Sequence, residues 1–278
     1  MVKILKKYIV LVLTALLIFC GCNIQNKENE PVFSETSDQK DLILNLNKYD
    51  GISNKLLRWG FRKTEDRPYF TKYEHKLMKE NDCIYMGNKK KKYLYLTFDE
   101  GYEKGYTSVI LDVLKEKGVP AAFFVTAQYV KSEPELISRM AKEGHIIGNH
   151  TVNHPSMPSV CNSEKVIHEL YELDKLIYNT CKKKCKFFRP PMGEYSERSL
   201  AIVKDLGYTS TFWSLAYVDW EDNVSAEQAE KAVMSQLHEG AVILLHAVSR
   251  GNTEALGNII EKAQKEGYVF KSLDEYEA

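Results

Sequence analysis

The chain predicts an α/β fold, a distorted (β/α)7 barrel-like sheet carrying an N-terminal extension. Two observations predict it. From Tyr93 onward, short apolar β-rich runs alternate with stretches whose apolar residues recur at helical spacing. Five polar clusters also fall just after strand-like runs, the position where barrel-like α/β folds carry their chemistry. They are Thr97-Phe98-Asp99-Glu100, His150-Thr151-Val152-Asn153-His154, Arg189-Pro190-Pro191-Met192-Gly193, Asp219-Trp220 and Leu244-Leu245-His246.

The elements follow in order. Tyr93–Phe98 reads as the first strand, and Val109, Ile110, Val113 and Leu114 mark a helix that stops at Gly118. Ala121–Thr126 is the second strand, followed by a helix near Pro134–Glu143 with proline in its first turn. His145–Asn149 is the third. A long amphipathic helix then shows Val166, Ile167, Leu170, Leu173, Leu176 and Ile177 on one face. Lys186–Phe188 leads into Arg189, and a helix near Glu197–Leu206 ends at Gly207. Tyr208–Trp213 is the fifth strand, and Ser225 with Gln228 forms a capping box that opens the next helix. Ala241–Leu245, a helix near Glu254–Glu266 and Tyr268–Lys271 complete the series.

The N-terminus reads as an address. Lys3, Lys6 and Lys7 precede an apolar run from Tyr8 to Phe19 and then Cys20-Gly21-Cys22, the pattern of a signal peptide over 1–22. Cys22 after a small residue resembles a lipoprotein attachment site, although Phe19 and Cys20 stand where leucine and a small residue are usual. An uncleaved anchor is the alternative. Both place the domain outside the cytoplasmic membrane, membrane-attached or released to the cell wall. Residues 23–41 form a polar tether, and 42–92, with Trp59-Gly60-Phe61, Tyr69 and Tyr73, an extension packed on the barrel of 93–278.

Lys and Arg number 38 against 38 Asp and Glu, a balance that argues against a nucleic-acid partner. The Lys89–Lys92 and Lys182–Lys184 runs read as solvated turns that retain some reach toward an anionic wall polymer. Cys83, Cys161, Cys181 and Cys185 lack C-x-x-C pairing, which excludes a structural zinc knuckle and leaves their bonding open.

The polar clusters divide the labour of metal-assisted amide hydrolysis. A loop aims His150 and His154 at one cation. Adjacent carboxylates repel, so Asp99 and Glu100 imply a cation or an arginine nearby: one serves as metal ligand, the other as base. Arg189 sits in a stiff Pro-Pro turn that aims its guanidinium at a carboxylate and offers a backbone N–H to an oxyanion. His246 ends an apolar strand, where it serves as general acid with Asp219 raising its pKa.

This ordered set resembles the NodB-type polysaccharide deacetylases, carbohydrate esterase family four, from Tyr93 to the C-terminus. Trp59-Gly60-Phe61, Ile84-Tyr85-Met86-Gly87, Tyr95–Glu103 and Ala216-Tyr217-Val218-Asp219-Trp220 are similar to its delta-lactam-forming peptidoglycan branch. The resemblance implies Asp99 as base, Arg189 as its orienting partner, Asp219 as the residue tuning His246, and His150, His154 and Glu100 as metal ligands. It implies a divalent metal, zinc first, with manganese, magnesium or cobalt as alternatives. Trp220 and Leu244 would line the acetyl pocket, Met192 would offer its N–H to the oxyanion, and Tyr217 would contact substrate. Two positions depart from the family pattern: Glu100 replaces an aspartate, and Ala216 replaces an aspartate before Asp-Trp.

The expectation is therefore a monomeric de-N-acetylase of peptidoglycan glycan strands. It would act on N-acetylmuramic acid residues that go on to muramic delta-lactam, as in spore cortex. The alternatives are an N-acetylglucosamine deacetylase of peptidoglycan or chitin-like chains, and a non-catalytic glycan-binding lipoprotein.

Overall fold

The computed structural model describes residues 46–278 except 65, 66, 161 and 222. The signal, the tether, Cys22 and Cys161 lie outside the described residues. The extension and first β/α units contain β1 (Leu57–Arg58), α1 (Lys72–Glu80), β2 (Tyr93–Glu100), α2 (Thr107–Lys117), β3 (Ala121–Val125), α3 (Ala127–Ser132), α4 (Pro134–Lys142) and β4 (Ile146–Asn149). Then come α5 (Ser163–Cys181), β5 (Phe187–Phe188), β6 (Glu194–Tyr195), α6 (Glu197–Asp205), β7 (Thr209–Ser210), α7 (Ala226–Met234), β8 (Ala241–His246), α8 (Arg250–Lys265) and β9 (Val269–Phe270).

Seven strands form one parallel sheet in the order β7-β5-β4-β3-β2-β8, with β9 also on β2. It curls into the half-barrel that the β/α repeat predicts. Alternation sorts the strand residues between two faces. Leu94, Leu96 and Phe98 of β2 join Phe123, Val125, Ile243 and Leu245 in the core beneath the helices. Tyr95 joins Ala122, Phe124 and Val242 on the inner face. Gly148 in β4 is needed there, because a Cβ would meet the Phe124 ring at 2.5 Å.

Two strands differ from expectation. β2 runs on through Asp99 and Glu100, which the sequence placed just after the first strand. The fifth strand shrinks to Thr209–Ser210, because the carbonyls of Thr211 and Phe212 accept from Arg189. Ser225 and Gln228 do form a capping box at α7.

The extension is sewn to the barrel rather than laid on it. β1 pairs antiparallel with β6, Leu57 opposite Tyr195. Trp59 donates its backbone N–H to the Gly193 carbonyl (2.8 Å) and its indole N–H to the Trp213 carbonyl (2.8 Å). Its ring packs on Phe70, Tyr85 and Phe212. Among the described residues no helix is long and apolar enough to cross a membrane, and Cys83, Cys181 and Cys185 are free thiols.

Candidate active site

The site grows from strand register. Asp99 pairs in register with His246 on one side and Phe124 on the other, so the carboxylate and imidazole share the inner face at the C-terminal end of the sheet. Thr97 and Leu244 are paired one layer below.

Arg189 is the buried keystone, with no solvent exposure. It donates from Nη1 to Asp99 Oδ1 (2.7 Å), from Nη2 to Thr97 Oγ1 (2.9 Å) and from Nε to the Thr211 carbonyl (3.1 Å). Its guanidinium lies 4.1 Å over the Phe124 ring. Burial alone would raise the pKa of Asp99, but the charge and hydrogen bond of Arg189, with His150 and His246 nearby, hold it below the ordinary value. Asp99 Oδ2 stays free of the arginine and lies 3.6 Å from His150 Nε2.

His150 and His154 ride a loop that the backbone strains. Thr151 (φ 71°) and His154 (φ 53°) are both left-handed, a conformation a β-branched residue keeps only when its surroundings impose it. Helix α5 imposes it. Asn149 accepts the Thr151 N–H (2.9 Å) while its amide donates to Asp174 Oδ1 (2.8 Å) and to the Leu170 carbonyl (2.8 Å). Glu169 accepts from the backbone and side-chain amides of Asn153 (2.8 and 2.6 Å). Tyr208 donates to Asp174 Oδ2 (2.7 Å), and burial raises Asp174 to about 6. Asn149, Glu169 and Asp174 escaped the sequence reading because neutral amides and helix carboxylates carry no local signal. Their long-range partners reveal them.

His150 Nδ1 faces the Arg189 carbonyl at 2.8 Å. A carbonyl only accepts, so Nδ1 carries the proton and the Nε2 lone pair is left for a ligand, the outer-sphere pattern of metal-binding histidines. Burial lowers the His150 pKa to about 4, which keeps the ring neutral. His154 is exposed, its ring 4.8 Å from that of His150. These two imidazoles fit a divalent metal, and deacetylases of this family are generally metal-dependent.

Glu100 does not join them. Strand alternation turns it away from Asp99, and among the described residues no three His, Cys, Asp or Glu side chains converge to hold an ion. Its carboxylate is fully buried with neither oxygen hydrogen-bonded, and burial, Glu103 and Asp99 push its pKa well above the ordinary value. Glu103 is itself committed to the N–H groups of Gly105 (2.5 Å) and Tyr106 (2.7 Å) and to the Tyr129 hydroxyl (3.0 Å). The expected third ligand is thus displaced because β2 extends two residues further than the sequence suggested.

On the other wall, His246 Nδ1 lies 2.7 Å from Asp219 Oδ1, and its backbone N–H donates to Oδ2 (2.7 Å). Burial disfavours the imidazolium, yet the hydrogen bond and charge of Asp219, with Asp99 adding, raise its pKa above the ordinary value. Asn252, unforeseen in the sequence, donates to Asp219 Oδ2 (2.5 Å) and accepts from the Tyr217 hydroxyl. Tyr217 therefore braces Asp219, and its hydroxyl is already engaged. Trp220 is half exposed and edge-on to His246, its ring 5.3 Å away. Met192 (φ 59°) is also half exposed, while Leu244 is buried.

A carboxylate whose pKa is lowered stands in register with an imidazole whose pKa is raised, at the C-terminal end of the sheet: this opposed acid–base pair is the equipment of a hydrolase site. The polysaccharide deacetylase family model matches residues 86–211. The chain is 42% identical over 231 residues to the peptidoglycan-N-acetylmuramic acid deacetylase PdaA of Bacillus subtilis, covering 81% of this chain and 88% of that one. The solved structure of PdaA, a family 4 carbohydrate esterase, superposes with a TM-score of 0.78 and covers 81% and 98%. A peptidoglycan-N-acetylglucosamine deacetylase of Bacillus cereus is 31% identical over 76% of this chain and 77% of its own. The chain belongs to the polysaccharide deacetylases of carbohydrate esterase family 4 and is a hydrolase of that class.

Proposed function

We propose that the chain removes the N-acetyl group from N-acetylmuramic acid residues of peptidoglycan whose peptide has been removed, leaving a free amine that closes on the lactyl carboxylate, with loss of water, as a delta-lactam. The opposed tuning of Asp99 and His246 across one strand pair carries the hydrolytic part of the reading. The 42% identity to a muramic acid deacetylase favours that sugar. The relative named for N-acetylglucosamine supports the second reading at lower identity.

In this mechanism His150 and His154 would hold a divalent cation, which would supply Lewis-acid chemistry at the acetamide carbonyl. Asp99 takes the proton of the attacking water through Oδ2, because Arg189 occupies Oδ1. The backbone N–H of Met192, in a turn fixed by two prolines and by Trp59, stabilises the oxyanion. His246 donates its proton to the departing amine, and Asp219 keeps that proton available. Leu244 and Trp220 border the acetyl methyl. We place the domain outside the membrane as a monomer, led there by the 1–22 segment with Cys22 as lipid-bearing residue or by the same segment left as an anchor.

Mass spectrometry of peptidoglycan fragments after incubation tests this. Loss of acetyl from muramic acid, followed by loss of water on lactam closure, is the expected result. Loss from glucosamine establishes the second reading, and no loss under metal-replete conditions overturns both.

A further inference from the structure

The net charge is zero, yet two lysine runs fall at the same end of the barrel. Every strand of the main sheet is parallel, so all segments that precede a strand sit at one end and the catalytic residues at the other. Lys89, Lys90, Lys91 and Lys92 immediately precede β2; Lys182, Lys183, Lys184 and Lys186 immediately precede β5. All eight are exposed. The C-terminal segment touches both runs: the Val269 N–H donates to the Lys92 carbonyl (2.8 Å), and Asp274 pairs with Lys186 (2.8 Å). Among the described residues Lys89, Lys90, Lys91 and Lys183 form no ion pair, while Lys184 lies within electrostatic reach of Asp174. The opposite end carries the paired charges of the site, Asp99 with Arg189 and Asp219 with His246.

The chain also enters the domain at the lysine end. Lys48 and the Tyr49 hydroxyl both reach Asp205 (2.8 Å each), the last residue of α6, just ahead of β7. The segment that leads in from residue 1 contains the apolar run Tyr8–Phe19 with its own lysines.

We propose that this lysine-bearing end docks on the anionic headgroups of a phospholipid leaflet, turning the Asp99–His246 end away from the membrane toward the glycan. Charge complementarity and the entry point of the chain favour a lipid surface over a soluble polyanion. Each lysine brought to such a surface is worth about a fivefold gain in partition.

The test uses the full chain with sedimentation onto vesicles of phosphatidylcholine alone or with one-third phosphatidylglycerol. The apolar leading segment contributes to both vesicles, so the ratio between them reports charge. The proposal predicts a preference for the anionic vesicles that vanishes at ~0.5 M salt. It also predicts a tenfold or greater fall in that preference when Lys89, Lys90, Lys183 and Lys184 are changed to glutamine, with deacetylation of soluble oligosaccharides unchanged. An equal fall on changing Lys76, Lys131, Lys175 and Lys231 instead would reduce the effect to net charge and overturn the docking face. Equal partition onto both vesicles overturns it too. So does a variant whose binding to poly(glycerol phosphate) falls while its vesicle binding does not, which would assign the face to a wall polymer.

Discussion

Replacing Arg189 by methionine removes a buried cation while keeping most of the apolar contact with Phe124. Asp99 is left buried without its counter-charge, and the Thr211 and Phe212 carbonyls lose donors. Breaking one side of a buried ion pair costs about 3–5 kcal/mol. For a domain of this size each kcal/mol lowers Tm by roughly 2–4 °C, so a fall of about 10 °C is expected. The double variant Arg189→Met/Asp99→Asn removes the stranded charge as well, and a thermodynamic cycle should show about 2 kcal/mol of coupling. Activity gives a separate readout. Without Arg189, burial dominates at Asp99 and its pKa rises, so the acidic limb of kcat/KM should move to higher pH. Stability moves the same way: a depressed carboxylate contributes above its unfolded pKa and loses that contribution as pH falls through the folded value. Thermal melts and a pH–rate profile together check the argument. Coupling within about 0.5 kcal/mol of zero, or an unmoved acidic limb, would refute the view that Arg189 holds Asp99 ionised.

Asp219→Asn should lower the pKa of His246 and move the alkaline limb of kcat/KM to lower pH, read from the same profile. The stability from this pair is full below about 6.5 and is lost as pH rises through the folded pKa, so the variant's deficit should shrink at alkaline pH. Glu169→Ala frees Asn153 and should weaken metal binding to the apo protein by about 10–100-fold in a calorimetric titration; unchanged affinity would mean the loop needs no clamp. Glu100→Gln should leave metal affinity alone and raise stability by about 1 kcal/mol in denaturant melts at neutral pH, since it removes a carboxylate with no partner. A loss of metal affinity matching that of His150→Ala would return Glu100 to the ligand set.

Much of the fold was legible because parallel strands buried on both faces leave near-continuous apolar runs such as Ala121–Val125, and glycine and proline punctuate the helices between them. The polar clusters were legible for the same reason: each interrupts such a run. What the sequence hid was where a strand ends. The apolar run ends at Phe98, but pairing with β3 and β8 holds β2 extended through Glu100 and sends neighbouring carboxylates to opposite faces. Asp174, Asn149 and Asn252 were hidden for another reason. Each acts on a residue brought close only by folding, as Asn252 acts on Asp219 from 33 positions away.

The pairing of β1 with β6 bears on the order in which the molecule assembles. Arg58 and Glu194 are 136 residues apart, and the turn that presents the Met192 N–H is closed from outside by Trp59. Closing so long a loop adds little equilibrium cost, because the entropy grows only with the logarithm of length, but such distant contacts slow the approach to the native state. During synthesis Trp59 emerges well before Gly193 and Trp213, the native acceptors of its backbone and indole N–H groups. A chain that built its barrel without seating Trp59 would be folded in its core and would leave the Pro191–Gly193 turn without its outer clasp.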